Sequence, residues 1–316
     1  MSKILIFSIK LILGLLMVVY LYDTILEVGS LDIKAIFLKL DPLKVVLSIV
    51  AYLFSHFLRV IRFTLMLGRQ NYSIVELVKK QYYTNMMNLL IPFKLGEFYR
   101  ISEFDKIIKN YRKTFLTVIA ERSIDVLLII CGLLLSSYLL YEHFYFVKML
   151  VVSGGILLIA IAYMFLVLPQ NLRYFNIFLI KRFTNKNTLN LLKISSSVHD
   201  SLEIVRNIIL NEKSTLLVLS VLVWVLEIFS FYFLMDYLPS YSHLLFLSCL
   251  VFVSAFLPSG SLGLGGIQLA FFLVFGHLSK NLSLELSFTY QLIIFVPAIL
   301  IGLVFWIFSL VKINKR

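Results

Sequence analysis

Long apolar runs separated by short charged stretches dominate the chain, at roughly residues 4–22, 44–67, 115–141, 149–168, 215–238 and 286–311. A run of about 20 apolar residues is what an α-helix needs to cross a hydrocarbon core. Two further stretches are apolar but broken. Residues 243–257 and 268–278 flank the decapeptide PSGSLGLGGI, in which Gly260, Gly263, Gly265 and Gly266 accompany Pro258, and each flank is too short to span alone. Residues 81–91 and 98–104 flank a second break, Pro92 to Glu97, that carries Lys94 and Gly96. Unwound backbone in lipid leaves N–H and C=O groups unpaired, at several kcal/mol each. It survives only where protein or a watery cavity receives it, so broken segments point to a transport site.

Composition changes the picture little. Hydrophobic residues make up 60% of the 316, and charged residues 15%, where a soluble domain carries about 25%. The reading is an all-α, polytopic membrane helix bundle of seven or eight segments, one integral membrane domain over residues 1–316. The first run has the outline of a signal peptide, but no small-residue cleavage site follows it, so a retained span is expected. Only Cys131 and Cys249 occur, both inside apolar segments, which suggests neither disulfides nor a thiolate metal site.

The net charge of +12 would suit nucleic acid until its placement is read. Nine Lys/Arg against four Asp/Glu fall between Leu67 and Thr114, seven against three between Pro169 and Ser214, and Lys312, Lys315 and Arg316 close the chain. Such clusters mark cytoplasmic flanks, so both termini are expected to be cytoplasmic, in the plasma membrane. Residues 23–41, with four acids and two bases, suit the outside. Parity then makes residues 243–278 enter and return on the outer side, while 81–104 dips from the inner side. Two opposed re-entrant hairpins are the pattern of an inverted repeat with its site near the midplane. The other reading of 81–104 is an amphipathic helix on the inner surface. Residues 189–209, apolar at three-to-four spacing, read as a cytoplasmic amphipathic helix.

Charges inside spans are costly and face a cavity, a partner or the headgroups. Arg59 and Arg62, at i and i+3, lie near the cytoplasmic end of their run, where snorkelling and phosphate contact are both open. His56 reads as a packing residue. Asn88, Lys94, Glu97 and Arg100 crowd the first break; Arg100 has either Glu97 or a phosphate to pair with. Glu121, Arg122 and Asp125 open the next span, as an inter-helix lock or as substrate contacts. Glu227 lies about twelve residues into its run, one turn after Trp224, and is the most anomalous charge. Gln268 follows the glycines and suits unwound backbone or a headgroup. The signatures of ATP-binding, hydrolase, zinc-protease and dinucleotide sites are missing, and no cofactor or metal is called for.

The segments NMMNLLIPFKLGEFYR, ERSID, Trp224-x-x-Glu227 and PSGSLGLGGIQ, in that order, resemble the lysylphosphatidylglycerol synthase transmembrane-region family over about residues 40–308. The resemblance implies a flippase-like membrane region, linked in relatives to polar or polyprenyl-linked lipids. It places family pattern residues on Asn88, Pro92, Lys94, Gly96, Glu97 and Arg100, on Glu121, Arg122 and Asp125, and on Pro258, Gly263, Gly265, Gly266 and Gln268. Lys94 stands where arginine is commoner and loses the planar fork; Gln268 stands where glutamate is common. Bifunctional members carry a soluble aminoacyl-transferring domain after this region, and the chain stops at Arg316, so it is not expected to make lysylphosphatidylglycerol itself. The function expected is translocation of an anionic phospholipid or polyprenyl-phosphate-linked lipid. Its partners would be membrane lipids, lipid-modifying enzymes or glycosyltransferases, and a homo-oligomer, with no nucleic acid. The alternatives are a secondary transporter of a small solute, which calls for a closed polar cavity; a non-catalytic pathway subunit, which calls for charges saturated by ion pairs; and, less expected, a membrane-embedded enzyme, which calls for an acid/base carboxylate beside a substrate pocket.

Overall fold

In the computed structural model the described residues are 32–68, 72–91, 95–140, 167–182, 186–254, 261–276 and 278–313, with scattered positions between 152 and 163. The expected first span, Lys94, Pro258 and most of the run at 149–168 lie outside them. Among the described residues there are helices and no strands. A short helix α1 (Ile33–Lys39) precedes α2 (Pro42–Leu67). Asp41 caps α2 by accepting from the Leu43 N–H, Pro42 fills its first turn, and Gly68 at φ 77° ends it, which is the usual start and stop chemistry.

The first broken segment is a helical hairpin, α3 (Ile74–Leu90) and α4 (Gly96–Ile108), whose arms pack on each other. It is longer than the expected 81–104, because Ser73 caps α3 so that the first arm starts at Ile74, and the second arm runs on to Ile108. A Cβ on Gly96 would lie 2.4 Å from Asn88 Cα, so only glycine lets the second arm start this close to the first. After α5 (Tyr111–Leu139), two helices, α6 (Leu168–Arg182) and α7 (Lys186–Asn211), pack as a pair. The amphipathic stretch expected at 189–209 is α7, which buries Val205 against Leu116 and Ala120 of α5.

The second half follows the same plan. Its span α8 (Lys213–Phe229), extended by a 3-10 turn at Tyr232–Leu234, leads to the hairpin α9 (Tyr241–Ser254) and α10 (Gly266–Phe275). These arms have 14 and 10 residues, about 21 and 15 Å of helix. Neither crosses a core of about 30 Å, as expected for a re-entrant pair. The last span is built of α11 (Lys280–Tyr290), a π-turn at Gln291–Phe295 and α12 (Val296–Ile313). Pro297, which has no N–H to donate, follows the π-turn and accounts for the lost α-helical register.

Contacts of Lys44 with Asp236, Ser48 with Phe233, Ser55 with Glu227 and Arg62 with Ser220 run α2 antiparallel to α8. The two hairpins therefore leave from opposite ends of this central pair. Packing is reciprocal as well: α3 packs on α12 and α9 on α5, while α4 packs on α5 and α10 on α11. Close approach repeats in the same way. A Cβ on Gly302 of α12 would meet Met86 of α3 at 2.4 Å, and one on Gly132 of α5 would meet Cys249 of α9 at 2.8 Å. An inverted repeat requires this exchange of partners. A surface-lying helix at 81–104 does not fit, because α3 is packed along a span and touches the turn before α10. The main apolar core is centred on Phe231, Phe233, Phe271, Tyr290 and Ile294.

Candidate functional site

Four arginines and four carboxylates meet where α2, α4, α5 and α8 converge. Arg59 reaches Asp125 at 3.0 Å and Glu227 at 3.2 Å; Arg62 reaches Asp125 and Glu121, both at 2.8 Å. Arg100 lies 2.7 Å from Glu121 and 3.7 Å from Glu97. Arg122 lies 2.5 Å from Glu97 and 3.2 Å from Asp125. Neutral donors complete the set: Ser55 donates to Glu227, Trp224 to Asp125, and Asn88 to Glu97. The formal charges cancel, so no enclosed charge is left uncompensated.

Helix spacing explains the assembly. Arg59 and Arg62 share one face of α2, Glu121 and Asp125 share one face of α5, and crossing those faces makes the ladder. Snorkelling does not occur: Arg59 and Arg62 are 6% and 0% exposed, because carboxylates are nearer than headgroups. Glu121 and Asp125 answer Arg59, Arg62 and Arg100 across the bundle, which is the inter-helix lock among the readings of that cluster.

Beside this network lies a cavity of about 430 Å³. Its wall takes Tyr52–Arg59 from the middle of α2 and Arg122–Ile129 from the middle of α5. Both hairpin tips reach it, through Asn88, Ile91 and Glu97 on one side and Ser254, Gly263 and Ile267 on the other. The two breaks therefore meet at one site, about halfway along the spans. Arg59, Arg100, Arg122, Asp125, Trp224 and Glu227 line it, whereas Arg62 and Glu121 stand behind the wall. At the first tip Leu90, Leu95 and Phe98 are 42%, 45% and 64% exposed, beside the part-exposed ion pair of Glu97 and Arg122.

The glycine break is held by amides rather than charges. Gly265, at φ 88° where a side chain would be strained, donates its N–H to Gln268 Oε1 at 2.9 Å. Gln268 donates to Gln291 Oε1 at 3.0 Å, and Gln291 donates to the Leu262 carbonyl at 3.2 Å. Gln268 thus satisfies unwound backbone, one of the two uses expected of it, and ties the break to the π-turn. Gly265, Gly266 and Gln268 lie behind the cavity, while Gly263 lines it.

Gln81, Thr84 and Asn85, which line the cavity with Asn88, and Gln291 join the residues expected from the sequence. The signal was the i, i+3, i+4, i+7 spacing of polar residues in an otherwise moderately apolar arm. His56, read as packing, also lines the cavity. Among the described residues no cluster of His, Cys, Asp or Glu could hold a metal.

A family model described as the lysylphosphatidylglycerol synthase TM region matches residues 5–302, so the chain belongs to that family. No curated protein and no solved structure matches the chain.

Proposed function

We propose that this member of the lysylphosphatidylglycerol synthase transmembrane-region family is a lipid translocase of the plasma membrane. It would move an anionic phospholipid or a polyprenyl-phosphate-linked lipid, with the headgroup in the cavity and the tails outside in lipid. The observation that carries this reading is a cavity into which charged and amide side chains project from an otherwise apolar lining, with an exposed apolar hairpin tip at its rim. Phe98 lines the cavity with Glu97 and Arg122, and Leu90 and Leu95 are exposed at the same hairpin tip. A soluble solute needs no such rim; an amphipathic molecule has one part for each surface.

In this reading Arg59 and Arg100, with Lys94, hold the phosphate, and Arg62 acts from behind them. Glu97, Glu121, Arg122 and Asp125 keep the charge balanced as the anion enters, and Asn88 holds Glu97. Trp224 and Glu227 tune the site, and the hairpin from Pro258 to Gln268 gates it. The partners are membrane lipids, with a lipid-modifying enzyme or glycosyltransferase supplying the cargo, and both termini are cytoplasmic. One observation favours a second reading, a non-catalytic membrane subunit: every arginine of the network already has a carboxylate.

Sealed proteoliposomes separate the two. Fluorescent lipid in the inner leaflet becomes accessible to an impermeant reductant only if it crosses. Protein-dependent crossing that Arg100→Ala abolishes while the chain stays folded supports the translocase. No crossing of phosphatidylglycerol or a polyprenyl-phosphate sugar, with or without a membrane potential, supports the subunit.

A further inference from the structure

The face of α3 that lines the cavity carries a neutral stripe, of which only Asn88 is tied to the ion pairs, through Glu97. Gln81, Thr84, Asn85 and Asn88 all line the cavity, and none is charged. Tyr52 and Trp224 line the same space, as does Tyr290, whose ring is stacked on Phe231.

Around this stripe several buried polar atoms have no hydrogen-bond partner, although such atoms are nearly always paired in folded proteins. Two are acceptors, Gln81 Oε1 and Asn88 Oδ1; others are donors, Arg100 Nε and Nη1. His56 Nε2 is also unpaired. Gln81 Nε2 lies 3.3 Å from His56 Nδ1; when it donates there, His56 Nε2 carries the ring proton and is a further donor. Donors and acceptors therefore sit side by side. A phosphate oxygen accepts only and an ammonium donates only, whereas a hydroxyl does both. The C–H faces of a polyol also suit aromatic rings.

Building on the translocase reading, we propose that the cavity recognises a polyhydroxylated headgroup, glycosyl or glyceryl. Its hydroxyls lie along Gln81, Asn85 and Asn88 and against His56, and its carbon face lies on Tyr52 and Trp224. Any phosphate it bears meets Arg100. The electrically balanced wall agrees with a ligand chosen by hydroxyls rather than by net charge.

The test compares four acyl-labelled lipids in proteoliposomes: a glycosyl-diacylglycerol, phosphatidylglycerol, phosphatidic acid and phosphatidylethanolamine. The first two should cross about tenfold or more faster than the last two, as expected where a site built for hydroxyls meets a ligand without them. Gln81→Leu should erase most of that preference. The ranking of glycosyl against glyceryl lipid identifies the source. If phosphatidic acid or phosphatidylethanolamine crosses as fast as the polyol lipids, the headgroup assignment is overturned while translocation stands. If no lipid crosses, translocation fails, and Trp224 fluorescence in a Trp306→Phe background decides the site alone. A saturable response to a glucosyl or glyceryl phosphate, weakened in Gln81→Leu, upholds it; an equal response to inorganic phosphate, or none, overturns it.

Discussion

Replacing Arg62 by methionine removes a guanidinium that is fully enclosed and bonded to Glu121, Asp125 and Ser220. Three arginines then face four carboxylates, one of them uncompensated. Breaking a buried pair from one side costs about 3–5 kcal/mol, so Arg62→Met should lower stability by that amount. Asp125→Asn should cost about the same, since Asp125 bridges Arg59, Arg62 and Arg122. Removing both leaves three complete pairs: Arg59 with Glu227, Arg100 with Glu121, and Arg122 with Glu97. The double variant should therefore be more stable than the sum of the singles implies, by about 2–3 kcal/mol, within the range seen for residues sharing a network. Reversible unfolding in mixed micelles, followed by circular dichroism as the denaturing detergent is raised, measures all four corners of the cycle. Additivity within about 0.5 kcal/mol would refute the idea that charge balance holds these helices together.

Other consequences concern the breaks and the close crossings. Gly96→Val places side-chain carbon against Asn88 and should separate the hairpin arms, costing about 1–3 kcal/mol and slowing lipid crossing; an unaltered melting profile would contradict the geometry. Gly302→Leu should act alike through Met86 and Tyr82, read by the same unfolding assay. Gln268→Ala strands the Gly265 N–H and a Gln291 acceptor, at about 1–3 kcal/mol, whereas Gln268→Glu keeps the first bond and loses the second; hydrogen exchange at Gly265 reports the first. Stability should vary little with salt, because enclosed pairs are weakly screened; steep salt dependence in detergent would place the network in water.

Among the described residues the spans and both hairpins were legible because apolar length and Pro/Gly punctuation are local signals. Parity of the charged loops then set the hairpins against each other, and the crossing of α2 with α8 agrees. Which arginine meets which acid was not legible: Arg59 and Glu227 are 168 residues apart, and only the crossing brings them together. The same holds for Gln268 and Gln291, which look like isolated amides until the π-turn sets them beside the glycines. The α3 stripe was hidden differently. Its residues were seen as polarity in a weak span, not as one face of an arm whose other side packs on α12. Pro258 and Lys94 lie outside the described residues.

Whether headgroups pass between the two hairpin tips is tested most directly by tying the tips together. Cysteines at Leu89 and Leu262, both lining the cavity, would be joined by a cleavable bifunctional reagent in a chain with Cys131 and Cys249 changed to serine. Crossing of labelled lipid is then followed before bridging, after it, and after cleavage. Crossing is expected to stop on bridging and to return on cleavage. Crossing that continues with the tips tied would contradict the path, and no crossing in any of the three states would contradict translocation itself.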